Sequence, residues 1–516
     1  MSGKFRFWVI FSVVVVSIGI SGWWVFHFPF RAELVYRVIP ENATAGSRHI
    51  SPALRINRLC DSSVMTNVAS VLGADGDYLL DVVDDYWTRK LANIIGSKLV
   101  VTAFVPSMKG FGQPEYIFGG WIGGYSQLLR WGVLDRYLTD FSVHRFSGNR
   151  RIWVCACPEI GAGYYLSLAV HEGMLVGSLS RDKVGVLYLL QRLNGQKNLT
   201  GFAQKLQESE SDKADAFRVS LLSEKGGNSV ISGGLSEVSS DQIRAEVEFD
   251  GKLSEDLQKY FPKKAVIDGQ KGSKSLLGDS PSMLVEIPVS SISPIIRDAG
   301  IEELQIWKKI EKHFKRDSLA TIFASGGNYY GHIMRMKVPS LGLRLPLVVG
   351  EGGSQTINSI VDELNSEWHW GLIATVDKHD KRIRTINSVH NGAFKVLRRN
   401  ERPAIAICDG ELLCMSNVEV LRKILSEYDD AGASDVLSKH PVTSIYGASD
   451  LEETGDLLLK ALAGYTLVSL LQKNGSHRYD TVKLKQAIRV LGELEQLVVW
   501  GNFNESTPKL HIQLRY

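Results

Sequence analysis

Few residues in this chain combine the types and spacing that chemistry needs. His171-Glu172 opens like H-E-x-x-H, where two histidines one helical turn apart hold zinc. Gly173 follows instead, no second histidine comes at the required spacing, and the pair falls in a predicted turn. Cys155 and Cys157 stand two apart in the β-like run IWVCAC and share a strand face. That is half of a metal site, and no Cys or His pair with ligand spacing completes it. Gly120-Trp-Ile-Gly123-Gly124 and Gly350-Glu-Gly352-Gly353 each precede a predicted helix, whose N-terminus is a place for phosphate. Neither carries a dinucleotide fingerprint, so tight turns are the simpler reading. The paired carboxylates Asp84-Asp85, Asp429-Asp430 and Glu452-Glu453 are adjacent, and adjacent residues do not share a helix face. His369 lies between Trp368 and Trp370, where packing at a sheet end accounts for it. G-x-S-x-G, G-x-x-x-x-G-K-[ST] and a convincing D-x-D are missing. No catalytic residue, metal ligand or cofactor is therefore assigned.

One patch has a binding rationale. Asn391-Gly392 is a two-residue turn signal between the strand-like runs 382–390 and 393–399. In that register Arg384 lies opposite Arg399, with Lys395 on the same face. Like charges directly opposite repel. Solvation or nearby acids relieve this in the bland reading. In the functional one, Arg384, Lys395 and Arg399 receive an anionic partner such as a lipid head group, peptide or polysaccharide.

The elements that must position any site show an internal repeat. Trp87 leads by helix into a strand starting near Leu99, and Trp307 leads likewise to Leu319. Gly123-Gly124-Tyr-Ser126-Gln127 answers Gly352-Gly353-Ser354-Gln355. The hairpin turn Glu172-Gly173 answers Asp409-Gly410, each followed by a strand and a helix. The offsets are 220, 229 and 237 residues, growing as loop insertions would make them. Around Asp409-Gly410, Cys408 faces Glu411 and Cys414 faces Ile405, which keeps the two cysteines from bridging. Ser416 with Glu419 reads as a capping box. Ser449 with Glu452, or Asp450 with Glu453, opens the helix Leu451–Gln472 the same way. Thr481–Leu497 reads as a second helix found only in the second copy. Each copy ends in an alternating strand, Ile243–Phe249 and Lys509–Arg515. Hairpins in series with segregated helices predict an α+β fold. We expect an N-terminal transmembrane helix and then two pseudo-repeated domains of antiparallel sheet with helices packed on it. The expected division is a cytoplasmic tail at 1–6, an anchor at 7–30, repeats at 36–255 and 283–516, and a Lys, Gly and Ser-rich linker at 256–282.

Phe7 to Phe28 carries no acidic residue, Lys or Arg over 22 residues, roughly 33 Å as a helix and enough to cross a bilayer core. Trp23 and Trp24 near its far end suit an interface. Small residues at 17–22 offer a cleavage site, but aromatic apolar residues continue past them to Phe30, which favours an uncleaved signal anchor. Lys4 and Arg6 place the N-terminus in the cytoplasm, against a weaker opposing vote from Arg31 and Arg37. The rest is of ordinary composition, 44% hydrophobic and 22% charged across 516 residues, which excludes a wholly disordered chain. With 59 basic and 56 acidic residues the net charge is +3, and no concentrated basic footprint points to nucleic acid. Five cysteines, an odd number, do not make a disulfide scaffold.

The anchor, the segment Val38-Ile-Pro40-Glu-Asn-Ala opening the body, and the repeated unit of strand, Asp-Gly, strand, Ser and helix resemble bacterial extracytoplasmic single-anchor proteins of unknown function. The resemblance spans most of 36–516 and implies a domain class without an activity. The expectation is a single-pass protein of the inner (plasma) membrane, held by residues 7–28, with its body outside the cytoplasm. There it is a binding or scaffold protein of the cell envelope, with an envelope protein or anionic envelope component as partner. An envelope hydrolase with an active site assembled from distant residues is the alternative, and a carrier of lipid or another apolar ligand is a third reading.

Overall fold

The computed structural model describes residues 26–60, 86–106, 116–133, 141–146, 150–158, 163–195, 198–208, 215–222, 228–239, 242–261, 282–298, 304–324, 330–333, 336–348, 354–368, 371–389, 399–431, 445–455, 494–503 and 507–515, with a few isolated positions besides. The chain forms two compact units. One is built from residues up to 240 apart from 70–73, and the other from those four residues and 241–516. Both are α+β, and every strand pairing within each is antiparallel.

In the first unit the strands are β1 (Ala45–Ile50), β2 (Leu99–Phe104), β3 (Tyr116–Trp121), β4 (Ser142–Phe146), β5 (Arg150–Ala156), β6 (Tyr165–His171), β7 (Met174–Ser180), β8 (Asp215–Leu222) and β9 (Asn228–Val238). They lie side by side in the order β9-β8-β1-β2-β3-β7-β6-β5-β4. One face packs under α1 (Ala32–Tyr36) and, further along the chain, α5 (Val186–Gly195) and α6 (Gly201–Glu208). Val35, Val101, Val176, Leu190 and Leu206 meet there. The other face carries a smaller cluster of Trp153, Leu168, Leu175 and Leu129, joined by Ile94 and Ile95. Those residues come from the sheet, from α3 (Tyr86–Ile95) and from α4 (Tyr125–Arg130), while α2 (Pro52–Cys60) packs on α3.

The second unit holds β10 (Gln242–Gly251), β11 (Met283–Pro288), β12 (Leu319–Ala324), β15 (Leu341–Pro346), β16 (Leu372–Val376), β17 (Ile383–Ser388), β18 (Ala404–Cys408), β19 (Glu411–Met415), β20 (Ile445–Asp450), β21 (Gln496–Asn502) and β22 (Lys509–Arg515), plus a separate hairpin of β13 (Tyr330–Ile333) and β14 (Met336–Pro339). The order is β10-β22-β21-β20-β11-β12-β15-β19-β18-β17-β16. Its helices include α7 (Lys252–Tyr260), α8 (Val289–Asp298), α9 (Leu304–Ile310), α10 (Ser354–Trp368) and α11 (Val418–Ala431). One core gathers Leu421, Ile424 and Leu425 of α11 over Phe323, Leu413 and Met415. Another gathers Trp307, Ile357, Ile360 and Val361 over Ala320, Leu345 and Leu412. With both faces covered, β18 (AIAIC) needs no polar alternation, which is why it reads as a continuous apolar run.

Several local expectations hold. β2 begins on Leu99 and β12 on Leu319, after helices containing Trp87 and Trp307. Both tight hairpins form, with positive φ at Glu172, Gly173, Asp409 and Gly410. The cysteine register is as read: Ile405 opposes Cys414, and Cys408 opposes Glu411. Asp450 caps the helix at 451–455 by accepting the Glu453 N–H at 2.9 Å. The strands near 243–249 and 509–515 also form, and they pair with each other along their length.

Other expectations change. The helix after Ser416 is capped by Asn417, whose Oδ1 accepts the Glu419 and Val420 N–H groups at 2.9 and 3.4 Å. Ser416 instead accepts the Leu341 N–H at 2.9 Å. The helical reading of Thr481–Leu497 runs too far, because Gln496 and Leu497 already belong to β21. The units divide at Ser240–Asp241, upstream of 256–282, because β10 pairs with β22; residues 256–260 of the expected linker lie in α7. The turn Asn391-Gly392, Gly352-Gly353 and residues 262–281 fall outside the described residues, as does most of 7–25. Among the described residues no helix is long and apolar enough to cross a membrane.

Candidate functional site

Alternation along β1 sends Ser47 and His49 to one face and the buried Arg48 to the other. Ser47 stands opposite Thr102 of β2, and His49 opposite Asp215, the first residue of β8. The side chains form one continuous line. Asp215 Oδ1 lies 2.7 Å from His49 Nδ1, and His49 Nε2 lies 2.8 Å from Ser47 Oγ. Ser47 Oγ is in turn 2.7 Å from the Thr102 hydroxyl. An ionised carboxylate only accepts, so Asp215 assigns the imidazole proton to Nδ1 and leaves Nε2 to accept from Ser47. Asp215 is buried, and Arg55 of α2 contacts the same carboxylate oxygen at 2.5 Å. His49 keeps 36% of its side chain exposed, and Ser47 and Thr102 are half-buried.

This is the connectivity of a nucleophile, its base and the group that orients the base. With Ser47 donating to His49, the Thr102 hydroxyl donates to the Ser47 oxygen and holds it in line. Arg55 has two effects on the relay. It fixes the carboxylate in place, and it draws off charge that would otherwise support an imidazolium. Sequence reading missed this line because Ser47 and Asp215 are far apart in the chain. The only local signal is S-x-H in a strand.

The residues singled out from the sequence are not brought together in the same way. Arg384 lies in β17 with Val376 on one side and Ile405 on the other. Both flanks of the strand are thus occupied at that position, and the cross-strand pairing of Arg384 with Arg399 does not form. Arg399 instead opens a 3-10 turn ending at Glu401, and Lys395 is outside the described residues. Among the described residues no group of His, Cys, Asp and Glu is placed to hold a metal ion. Cys155, Cys157, Cys408 and Cys414 are not in disulfides. Burial among apolar neighbours pushes the Cys414 thiol up to about 12, which leaves it a packing residue rather than a nucleophile. Glu172 holds the hairpin turn and pairs with Arg31 at 3.7 Å, so the His171-Glu172 motif is spent on structure.

Comparisons with protein-family models, with curated proteins and with solved structures found no match for this chain.

Proposed function

We propose that the protein is a single-anchor protein of the inner (plasma) membrane, with its N-terminus in the cytoplasm. Its extracytoplasmic body acts by binding or scaffolding in the cell envelope. The observation that carries this is the mainly apolar stretch 7–28, without an acidic residue, Lys or Arg, ahead of a body of ordinary globular composition. The body is read as two copies of one α+β fold. In support, each unit places its first complete hairpin series on one side of a central strand, β1 or β11. Its later strands, β8 and β9 or β20 and β21, lie on the other side. The second copy then differs by the β13–β14 hairpin and by residues 451–495, inserted where the first copy has only 223–227. The partners we propose are the bilayer and an envelope protein or anionic envelope component.

The test is fractionation. The full chain is expected in the membrane fraction and to resist carbonate extraction. Removing residues 1–22 is expected to release a soluble, folded body. The cut matters, because Phe28 packs against the first core and Phe30 lies edge-on to Trp121 at 5.7 Å. Removing 1–30 is therefore expected to lower the thermal midpoint of the released body relative to the 1–22 deletion. Recovery of processed wild-type protein in the soluble fraction would reject the anchor.

The hydrolase reading has one observation in its favour, the Ser47–His49–Asp215 line. In it, the Ser47 hydroxyl attacks an ester carbonyl while His49 takes its proton. The proton returns to the leaving alcohol, and water then releases the acid from Ser47. A fluorophosphonate probe is expected to label the protein at Ser47, with loss of labelling in Ser47→Ala and at least tenfold slower labelling in His49→Gln. A probe that leaves the folded wild type unmodified would assign the line to structure alone.

A further inference from the structure

The apolar segment ends on the body at a particular place. Phe26 meets Trp131 edge-on, with ring centroids 5.5 Å apart. Its backbone runs so close to α4 that a Cβ on Gly124 would lie 2.6 Å from the Phe26 carbonyl oxygen. Around this contact the surface is aromatic and exposed. Trp23 is 63% exposed, Trp131 54%, Tyr125 46%, Val133 46% and Phe26 41%. Isolated exposed apolar side chains need no explanation, but five within a few residues of one ring contact, next to an apolar chain segment, do.

We propose that this patch of the first unit, formed by Trp23, Phe26, Tyr125, Trp131 and Val133, lies in the membrane–water interface beside the anchor. Its occupant is the head-group layer of the bilayer that holds the chain. The inference rests on the anchor reading above. A span over residues 7–25 is about 28 Å long as a helix, still sufficient for the hydrocarbon core, and it delivers Phe26 at the interface. The head-group layer on each side of the hydrocarbon core is roughly 5–8 Å thick, so a ring 5.5 Å from Phe26 cannot lie far from it. The chemistry agrees. Tryptophan and tyrosine, with an apolar ring and a polar edge, are the side chains that favour this layer. Cationic groups also border the patch. Arg130 precedes Trp131, and Tyr125 lines an open groove of about 480 Å³ together with Arg89 and Lys90, cations of the kind that anionic head groups attract.

The test uses the full chain reconstituted in phosphatidylcholine vesicles, with either ordinary or brominated acyl chains, as wild type and as Trp131→Phe. Phenylalanine keeps the ring contact with Phe26. The wild-type minus variant emission isolates Trp131 from the other ten tryptophans. That difference signal is expected to fall at least twofold in brominated vesicles and to be shielded from aqueous iodide. A difference signal insensitive to bromine and quenched by iodide places Trp131 in water and overturns the proposal, while bromine quenching of the remaining emission still upholds the anchor. Shielding from both quenchers means that protein, such as a second copy, covers the patch, and this also overturns it. If brominated lipid quenches none of the emission, the anchor reading fails and the proposal falls with it.

Discussion

Replacing Asp377 by alanine is expected to destabilise the second unit by about 3 kcal/mol, at the lower end of the cost of breaking a buried ion pair. Asp377 follows β16 and is buried. Its Oδ2 meets Arg422 Nη2 at 2.5 Å, and its Oδ1 meets Arg422 Nε at 3.0 Å. The same Oδ1 accepts the backbone N–H groups of His379 and Asp380 at 2.9 and 3.2 Å, which closes the turn into β17. The carboxylate thus ties α11 to the β16–β17 turn. Burial alone would raise its pKa. The Arg422 bond and the two N–H donors outweigh burial and hold it at about 2, below the usual 3.8. A folded-state pKa below the unfolded one means that the carboxylate's stabilisation is complete above about pH 3.8 and is lost as pH falls through about 2. Asp377→Asn keeps an oxygen for the turn and loses the charge, so it is expected to cost less, about 1–2 kcal/mol. Urea unfolding followed between pH 7 and pH 2 checks both statements. The gap between wild type and Asp377→Asn is expected to close toward pH 2. A gap constant across that range would show that charge is not what holds the helix to the turn.

What was legible in the sequence was local, and what was missed was set by partners far along the chain. The Asp409-Gly410 turn needs only two residues with positive φ, and its register follows by counting outward. The cap of α11 shows where local reading runs short. Ser416 and Asn417 are both good cap residues, and the choice was made by Leu341, whose N–H takes the serine. The pairing assumed for the basic patch failed for a related reason. The turn signal Asn391-Gly392 suggested a partner for β17, while the strands beside Arg384 come from residues 372–376 and 404–408. The helical reading of 481–497 overran because leucines at helical spacing continue into the β-branched Val498-Val499 of β21, and a mixed apolar run does not mark its own change of period. Ser47, His49 and Asp215 lay beyond any local rule. Alternation put Ser47 and His49 on one face, but the acid arrives through the pairing of β1 with β8. The α+β class was readable because it depends on the kinds of element and their order in the chain.

The second large effect is expected at Gly342, where a single methyl group has nowhere to go. Gly342 of β15 lies between Phe323 of β12 and Met415 of β19. A Cβ there would stand 2.1 Å from Cζ of Phe323, 2.4 Å from its Cε2 and 2.6 Å from Sδ of Met415. Methionine bends, but a phenylalanine that is 1% exposed among Leu413, Met415 and Leu425 has no free direction in which to turn. A glycine inside a strand costs β-stability, so its place here marks the close approach of the ring to the sheet. The first unit uses the same device, since a Cβ on Gly177 would lie 2.1 Å from Phe118. Gly342→Ala is therefore expected to cost about 3 kcal/mol, the upper end of ordinary overpacking. Phe323→Leu alone leaves a gap and is expected to cost about 1–1.5 kcal/mol. Combined, the smaller side chain leaves room for the added methyl. The double variant is then expected to be at least about 1 kcal/mol more stable than the sum of the two single effects, within the range known for residues in contact. Chemical denaturation of the four proteins closes the cycle. Additivity to within about 0.5 kcal/mol would mean that Gly342 is required for a backbone reason and not to admit the Phe323 ring.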